Sequence, residues 1–471
     1  MYSPGRTLAH YLQWDETKVP VVWTPTMKVT NYLVVNSILR IEDTDRERLK
    51  EGSENNIIQS LKWAGINPDE DPIIGGEFGP YRQSERLEIY RKYIEELIGN
   101  KHAYYCFCTK ERLDTLRQGQ IDKKIQAKYD KLCLNLKKDE VDEKLKEGIP
   151  HVVRLNVKPG EDIIFNDLIR GEIKIKSDIV DDQVLLKSDG YPTYHAAVVI
   201  DDYLMKITHI IRGEEWISST PKHILLYKAF GWEIPYFAHL SLLRNRDHSK
   251  VAKRNSNTSI NWYKEQGYLP EALINYLILL GWSHPDGKEV FPLSEFISEF
   301  SFDRVNKGGP IFDIDKLNWI NGVYIRSKSI SEIKKYIKPY LVYEIENKKL
   351  EEILKLVQDR LKIFSEINQY ISFFVEKPEI DMDMITENYS IDEVKNILEK
   401  TLDILTKNGI NHDSETQLRE YANEKGYNIG NFFMVIRIAV TGRKATPPLI
   451  ETMEVLGIDE IKERIFNIID K

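Results

Sequence analysis

Apolar and polar positions along this chain fall into two regimes. Prolines at Pro4, Pro20 and Pro25 interrupt the first forty residues, and no helix of useful length fits before Val34. From there Val34–Val35 and Ile38–Leu39 run into the acidic cluster Glu42, Asp43 and Asp45, the pattern of a buried strand that ends in a polar loop. Residues 51–65 and 82–98 show helical spacing, with apolar faces Ile57, Ile58 and Leu61, then Leu87, Tyr90, Ile94 and Leu97. Residues 110–148 read as helical and Lys-rich. At Pro150 the period shortens, and His151–Leu155, Glu172–Ile175 and Gln183–Lys187 predict strands. The apolar segments Val198–Ile200 and Ile207–Ile211 bracket further acidic residues. Strands alternating with helices in this way predict a parallel α/β core that carries an insertion.

Beyond Pro270 the strand signal fades. Leu350, Ile353, Leu354, Val357, Leu361, Phe364, Ile367 and Ile371 recur at steps of three and four, which predicts one amphipathic helix over 350–371. Ser390 with Glu393 three residues on predicts a capping box before Val394, Ile397, Leu398 and Leu405. The expected fold is therefore an α/β half followed by an all-α half.

Composition narrows the class of protein. At 471 residues the chain has room for roughly three domains. Apolar residues at 42% and charged residues at 30% exclude a mostly disordered chain. The longest nearly apolar stretch, Leu273 to Trp282, is about half of what a bilayer crossing needs, so no membrane span is expected. The first residues lack the basic start and apolar run of a secretory signal. Three cysteines spread thinly over so long a chain argue against a disulfide framework and for a reducing compartment, which predicts the cytoplasm. With a net charge of −8, a nucleic-acid partner would have to be held by local basic patches.

Four segments have the residue types that chemistry needs. Asp247-His-Ser-Lys-Val-Ala-Lys-Arg254 places Lys250 and Lys253 where flexible ammonium groups can follow phosphate charge, although a solvated basic loop is the more frequent meaning of such spacing. The acids after Ile41 lie at a strand's carboxyl end, where open α/β sheets bind ligands, and Glu42 or Asp45 could hold an ammonium group. Tyr194, Trp216 and Arg212 supply aromatic surface and a fixed guanidinium suited to a carboxylate; singly, each is more often a core aromatic or an ion-paired arginine. Cys106, Cys108 and Cys133 offer three thiolates to a zinc ion that prefers four ligands, with buried free thiols as the plainer alternative.

Taken in order, longer motifs resemble one family. Arg40-Ile-Glu-Asp-Thr-Asp-Arg-Glu-Arg48, Gly79-Pro-Tyr-Arg-Gln-Ser-Glu-Arg86, Tyr104-Tyr-Cys-Phe-Cys-Thr109, Lys187-Ser-Asp-Gly-Tyr-Pro-Thr-Tyr-His195, Ile211-Arg-Gly-Glu-Glu-Trp216 and Gly267-Tyr-Leu-Pro-Glu-Ala-Leu273 are similar to glutamyl-tRNA synthetases of the bacterial and organellar type. So is the ending Val440-Thr-Gly-Arg443 with Pro447-Pro-Leu449. The resemblance runs from about residue 38 to the end.

The resemblance implies a class I aminoacyl-tRNA synthetase: a Rossmann catalytic domain split over residues 1–95 and 196–254 by an acceptor-stem-binding insertion at 96–195. A stem-contact domain at 255–329 and a helical anticodon-binding domain at 330–471 would follow. It implies joining of glutamate to ATP as an adenylate, with magnesium, and transfer to tRNA(Glu) by a monomeric enzyme. Lys250 and Lys253 would stabilise the departing pyrophosphate; Glu42 would hold the substrate's amino group, Tyr194 would line the glutamate site, and Arg212 would pair with the side-chain carboxylate. Glu215, Trp216 and Lys253 would face ATP. Cys106, Cys108 and Cys133 match positions that bind zinc in some members, with Asn135 at the fourth position.

Three departures from the family pattern stand out. Ala252 replaces a serine of the lysine loop, which removes a hydroxyl and no charge. Val198 stands where an asparagine that touches substrate is common. The family's opening glycine-rich turn, whose histidine and backbone amides grip ATP phosphates, has no counterpart beyond a faint echo in Ser3, Pro4, Leu8 and His10. The number of residues before Glu42 fits the family while the residues do not, the trace that a reading-frame error leaves. Two competing readings follow: a catalytically inactive relative that still binds tRNA, and a glutaminyl-tRNA synthetase. The second is disfavoured because those enzymes have β-barrel anticodon domains, whereas residues 330–471 read as helices.

Overall fold

The computed structural model describes residues 21–23, 26–27, 35–45, 51–245, 247, 249 and 259–470. These residues form two compact units, one running to Trp262 and including Leu273–Asp313, the other built from Tyr263–Ala272 and the chain from Ile314 onward.

The first unit holds a four-stranded mixed sheet in the order His209–Gly213, Tyr236–Leu240, Asp162–Asp167, Gly171–Lys176. The first two strands run parallel, the third joins parallel at Phe237 and Asp167, and the last pairs antiparallel as a hairpin. All five residues of His209–Gly213 are buried, as expected of a parallel strand covered on both faces. The crossover to Tyr236 is the helix Thr220–Phe230, which starts with a proline in its first turn and ends at Gly231 in the left-handed region, φ 68°. A second, antiparallel sheet joins Ala103–Cys106, Val152–Leu155 and Val184–Leu186; the runs His151–Leu155 and Gln183–Lys187 supply two of its strands, whereas Glu172–Ile175 lies in the four-stranded sheet.

The apolar run Val198–Ile200 is part of a helix, Tyr194–Leu204, whose seven residues from Ala196 to Asp202 are all buried. A helix apolar all round must lie inside a core, and this one carries Asp201 and Asp202 into the interior. The strand Leu39–Ile41 is likewise buried throughout. Val21–Trp23 pairs antiparallel with Leu39–Ile41. A parallel return needs a crossover of a dozen or more residues, usually a helix. Here part of the connection is spent on a second hairpin pairing, Thr26–Met27 with Val35–Asn36.

The second unit is helical, and among the described residues every named element after Leu240 is a helix. The capping box forms as expected at Ser390, whose hydroxyl accepts from the Glu393 amide while the Glu393 carboxylate accepts from the Ser390 amide. The single helix expected over 350–371 is two, Asn347–Val357 and Ile367–Val375. Tertiary bonds break it. The Gln358 amide donates to the carbonyls of Ile325, Arg326 and Lys328, and the Phe364 amide donates to the Gly267 carbonyl. Leu361 and Phe364 stay buried, so the apolar period survives the break. No described helix is long and apolar enough to cross a membrane.

Candidate active site

Where Leu39–Ile41 meets the helix Tyr194–Leu204, five charged groups are buried together. The Arg40 guanidinium donates to Glu42 at 3.0 Å and to Asp202 at 3.0 Å, with Asp201 at 3.6 Å. Asp201 also accepts from Arg86 Nε, Gln83 Nε2 and the Tyr90 hydroxyl, each at 2.8 Å. Burial opposes the charge on Arg40, but the neighbouring Asp202, Asp201 and Glu42 carboxylates raise its pKa above the ordinary arginine value. Three carboxylates against the guanidiniums of Arg40 and Arg86 sum to one negative charge. Of the three, the Glu42 carboxylate has its charge least compensated. Burial lifts its carboxyl to about 7 against the pull of Arg40, and its Oε2 has no hydrogen-bond partner among the described residues. A buried, unpaired acceptor on a net-negative cluster suits an incoming ammonium group.

Arg212 is the penultimate residue of the strand His209–Gly213 and is nearly as deeply buried as Arg40, yet its hydrogen-bond partners are neutral. Its Nε donates to His239 Nε2 at 3.1 Å, one terminal nitrogen donates to His223 Nδ1 at 3.1 Å, and the other donates to the Thr220 hydroxyl at 2.6 Å. The rings of Trp216 and Phe237 flank the guanidinium, their centroids at 5.8 and 5.5 Å. Burial draws the Arg212 pKa below its ordinary value, although a guanidinium stays charged at any working pH. Tyr194 responds to both groups: burial raises its hydroxyl pKa, Glu42 adds to the rise and Arg212 opposes it. Its ring packs on Trp216 at 4.8 Å between centroids. Glu42, Tyr194 and Arg212, singled out separately along the sequence, thus converge in one place.

The three thiols also converge. The sulfurs of Cys106, Cys108 and Cys133 all lie within 4.8 Å of one another. Cys108 and Cys133 are 3.5 Å apart, and the Tyr129 hydroxyl stands 3.3 Å from the Cys108 sulfur. The Cys133 thiol, through its hydrogen bond, draws the Cys106 pKa down to about 4 against its burial. One thiol held as thiolate among others is the donor chemistry a soft divalent metal needs. Asn135, expected as a fourth ligand, is exposed and donates to the Lys131 carbonyl at 3.4 Å. The fourth donor beside the thiols is the Tyr129 oxygen.

The chain is similar to known proteins over most of its length. Residues 35–319 match the family of class I tRNA synthetases (E and Q), catalytic domain, and residues 332–469 match an anticodon binding domain. A glutamate–tRNA ligase of Clostridioides difficile is 42% identical over 448 residues, covering 91% of each chain. The chain belongs to the glutamate–tRNA ligase family. A Fusobacterium nucleatum ligase is also 42% identical, over 92% of this chain and 91% of its own. A solved glutamate–tRNA ligase from Elizabethkingia meningosepticum, crystallised with its amino acid, superposes with a TM-score of 0.85 at 35% identity, over 92% of both chains.

Other residues that a glutamate–tRNA ligase motif singles out take mixed positions. Trp216 faces Arg212 and Tyr194, whereas Glu215 is exposed on the turn Glu214–Ser219. Its neighbour Glu214 has the structural contacts, pairing with Arg170 at 2.8 Å and accepting from the Leu242 amide at 3.3 Å. Val198 is buried in the helix that carries Tyr194. Lys250 and Lys253 lie outside the described residues. Sequence reasoning missed Thr220, His223, His239 and Glu214. Thr220 and His223, three apart at the start of one helix, carried a signal in their spacing.

Proposed function

We propose that this chain esterifies glutamate to tRNA(Glu) through a glutamyl-adenylate. One observation supports the reading most: a buried guanidinium held by neutral groups and a buried cluster with one surplus negative charge both act on the Tyr194 hydroxyl. That polarity complements an amino acid with an anionic side chain and a cationic amino group. Each terminal nitrogen of Arg212 has a second hydrogen, the pair that a carboxylate takes bidentately. Glutamine would leave that charge unanswered, a large penalty in a dry site. Charging tests the reading: with bulk tRNA and ATP, labelled glutamate is esterified and labelled glutamine and aspartate are not. Charging by glutamine at a comparable rate overturns it.

Glu42 takes the substrate ammonium, Tyr194 separates the two charges, Trp216 and Glu215 line the nucleotide side, and Lys250 with Lys253 follows the leaving pyrophosphate. ATP is the energy source, and magnesium bound with it supplies charge neutralisation on the phosphates. The catalytic domain comprises residues 1–95 and 196–254, the insertion 96–195, the stem-contact domain 255–329 and the anticodon domain 330–471; the enzyme acts as a monomer in the cytoplasm.

With its carboxyl near 7, Glu42 is protonated below that pH and loses its hold on the ammonium. The expected result is a fall in kcat/KM for glutamate of about tenfold per pH unit below 7. Glu42→Gln removes that acidic limb along with most activity. If the variant keeps the limb, another group sets it.

We further propose zinc at Cys106, Cys108, Cys133 and Tyr129, where it would brace the insertion. Elemental analysis of protein purified without chelator is expected to find close to one equivalent, and less than about 0.2 would count against the site.

A further inference from the structure

Two buried arginines in this chain are fixed in opposite ways. Arg40 is held by carboxylates: Glu42, Asp202 and Asp201. Arg212 is held by two imidazoles and a hydroxyl, and among the described residues no carboxylate lies within ion-pair distance of it. Carboxylates are the usual means of fixing a buried guanidinium, because they repay its desolvation. Their absence around Arg212 costs stability and needs a reason.

The hydrogen-bond directions settle both imidazole tautomers. A guanidinium donates and never accepts, so His223 Nδ1 accepts from Arg212 and its proton sits on Nε2, which donates to His195 Nδ1 at 2.9 Å. His239 Nε2 likewise accepts from Arg212, so its proton sits on Nδ1 and goes to Asp167 Oδ2 at 2.5 Å. Asp167 is itself fixed by the amides of Ile169 and Arg170 at 3.0 and 2.8 Å and by the His239 amide at 3.1 Å. Thr220 passes its own proton to the Trp216 carbonyl at 3.0 Å. Each partner thus presents a lone pair to Arg212, and the Asp167 carboxylate acts on it only through His239.

We propose that His223 and His239 are positioning residues for substrate selection: they aim the Arg212 guanidinium with neutral acceptors, so that its charge is left for the side-chain carboxylate of the bound amino acid. The inference rests on the reading of Arg212 as the glutamate anchor. Burial reinforces it, since His223 and His239 both have pKa values lowered from the ordinary histidine value and stay neutral beside the cation. A carboxylate at either position would hold Arg212 as firmly and neutralise it, which would remove the preference for glutamate over glutamine.

Three variants of His223 test this. His223→Glu places a competing carboxylate against Arg212, and KM for glutamate is expected to rise about 100-fold while ATP KM and tRNA Kd stay within about threefold. The glutamate-to-glutamine ratio of kcat/KM falls with it. His223→Gln keeps a neutral acceptor and raises KM by less than about tenfold; His223→Leu removes the acceptor and raises it further. Equal KM for the glutamate and glutamine variants, or an unchanged KM in the glutamate variant, overturns the proposal. If His223→Glu does not fold, the other pair decides: leucine no worse than glutamine overturns it. Arg212→Ala, run alongside, separates the two levels. An unchanged glutamate KM there sinks the anchor itself; a raised one with no His223 effect sinks the cradle alone.

Discussion

Arg212→Ala is expected to abolish useful charging with glutamate while tRNA binding stays nearly intact. The substrate's side-chain carboxylate would enter a site walled by Trp216 and Phe237, with no cation to meet it. Leaving a buried charge unpaired costs roughly 3–5 kcal/mol, a loss in kcat/KM of about two to three orders of magnitude or more. The tRNA-binding surfaces lie on other parts of the chain in this account, so tRNA Kd should move by less than about threefold. Filter binding and steady-state charging on the same preparation give both numbers. Equal loss of both makes Arg212 a structural residue and removes the central support for glutamate selection.

The second large effect is expected from the lysine loop. Lys250→Ala and Lys253→Ala should each lower kcat by about 10²- to 10³-fold, because pre-set charge at a departing phosphate acts mainly in the transition state. Glutamate KM should change little. The exchange of pyrophosphate into ATP, measured with tRNA present, should fall in parallel, since the same charges act on the first step. Ala252 in place of a serine leaves both ammonium groups in the segment. A loss below about threefold for either lysine, or one confined to KM, would mean that the basic segment is a solvated loop.

The parts of this fold that the sequence made legible are those with local causes. The capping box at Ser390 needs a residue and its partner three positions on, and it forms. The alternating runs after Pro150 become strands, and the apolar faces at 51–65 and 82–98 lie on the helices Ser53–Trp63 and Leu87–Gly99. What stayed hidden depends on residues far apart in the chain. The helix break after Val357 follows from Gln358 binding carbonyls some thirty residues earlier, which no periodicity records. Tyr129 rather than Asn135 approaches the thiols because the turn at Leu132–Asn135 carries the asparagine outward.

The same holds within the site. Glu42, Tyr194 and Arg212 sit in motifs dense enough to be noticed one at a time. The neutral cradle of Arg212 is assembled from His223 on a helix, His239 on the next strand and Asp167 on a third, and no short pattern joins them. Histidine's neutrality there is a property of burial, which the order of residues does not state. The family match itself begins at residue 35, so residues before it stand outside the likeness that supports the function.

That gap makes one measurement decisive: aminoacylation of tRNA(Glu) with labelled glutamate, ATP and magnesium by protein whose intact mass confirms residues 1–40 as written. Glutamyl-tRNA is expected at a rate that depends on Arg212. A protein that binds tRNA and forms no ester would contradict this, and would leave the family membership as ancestry without activity.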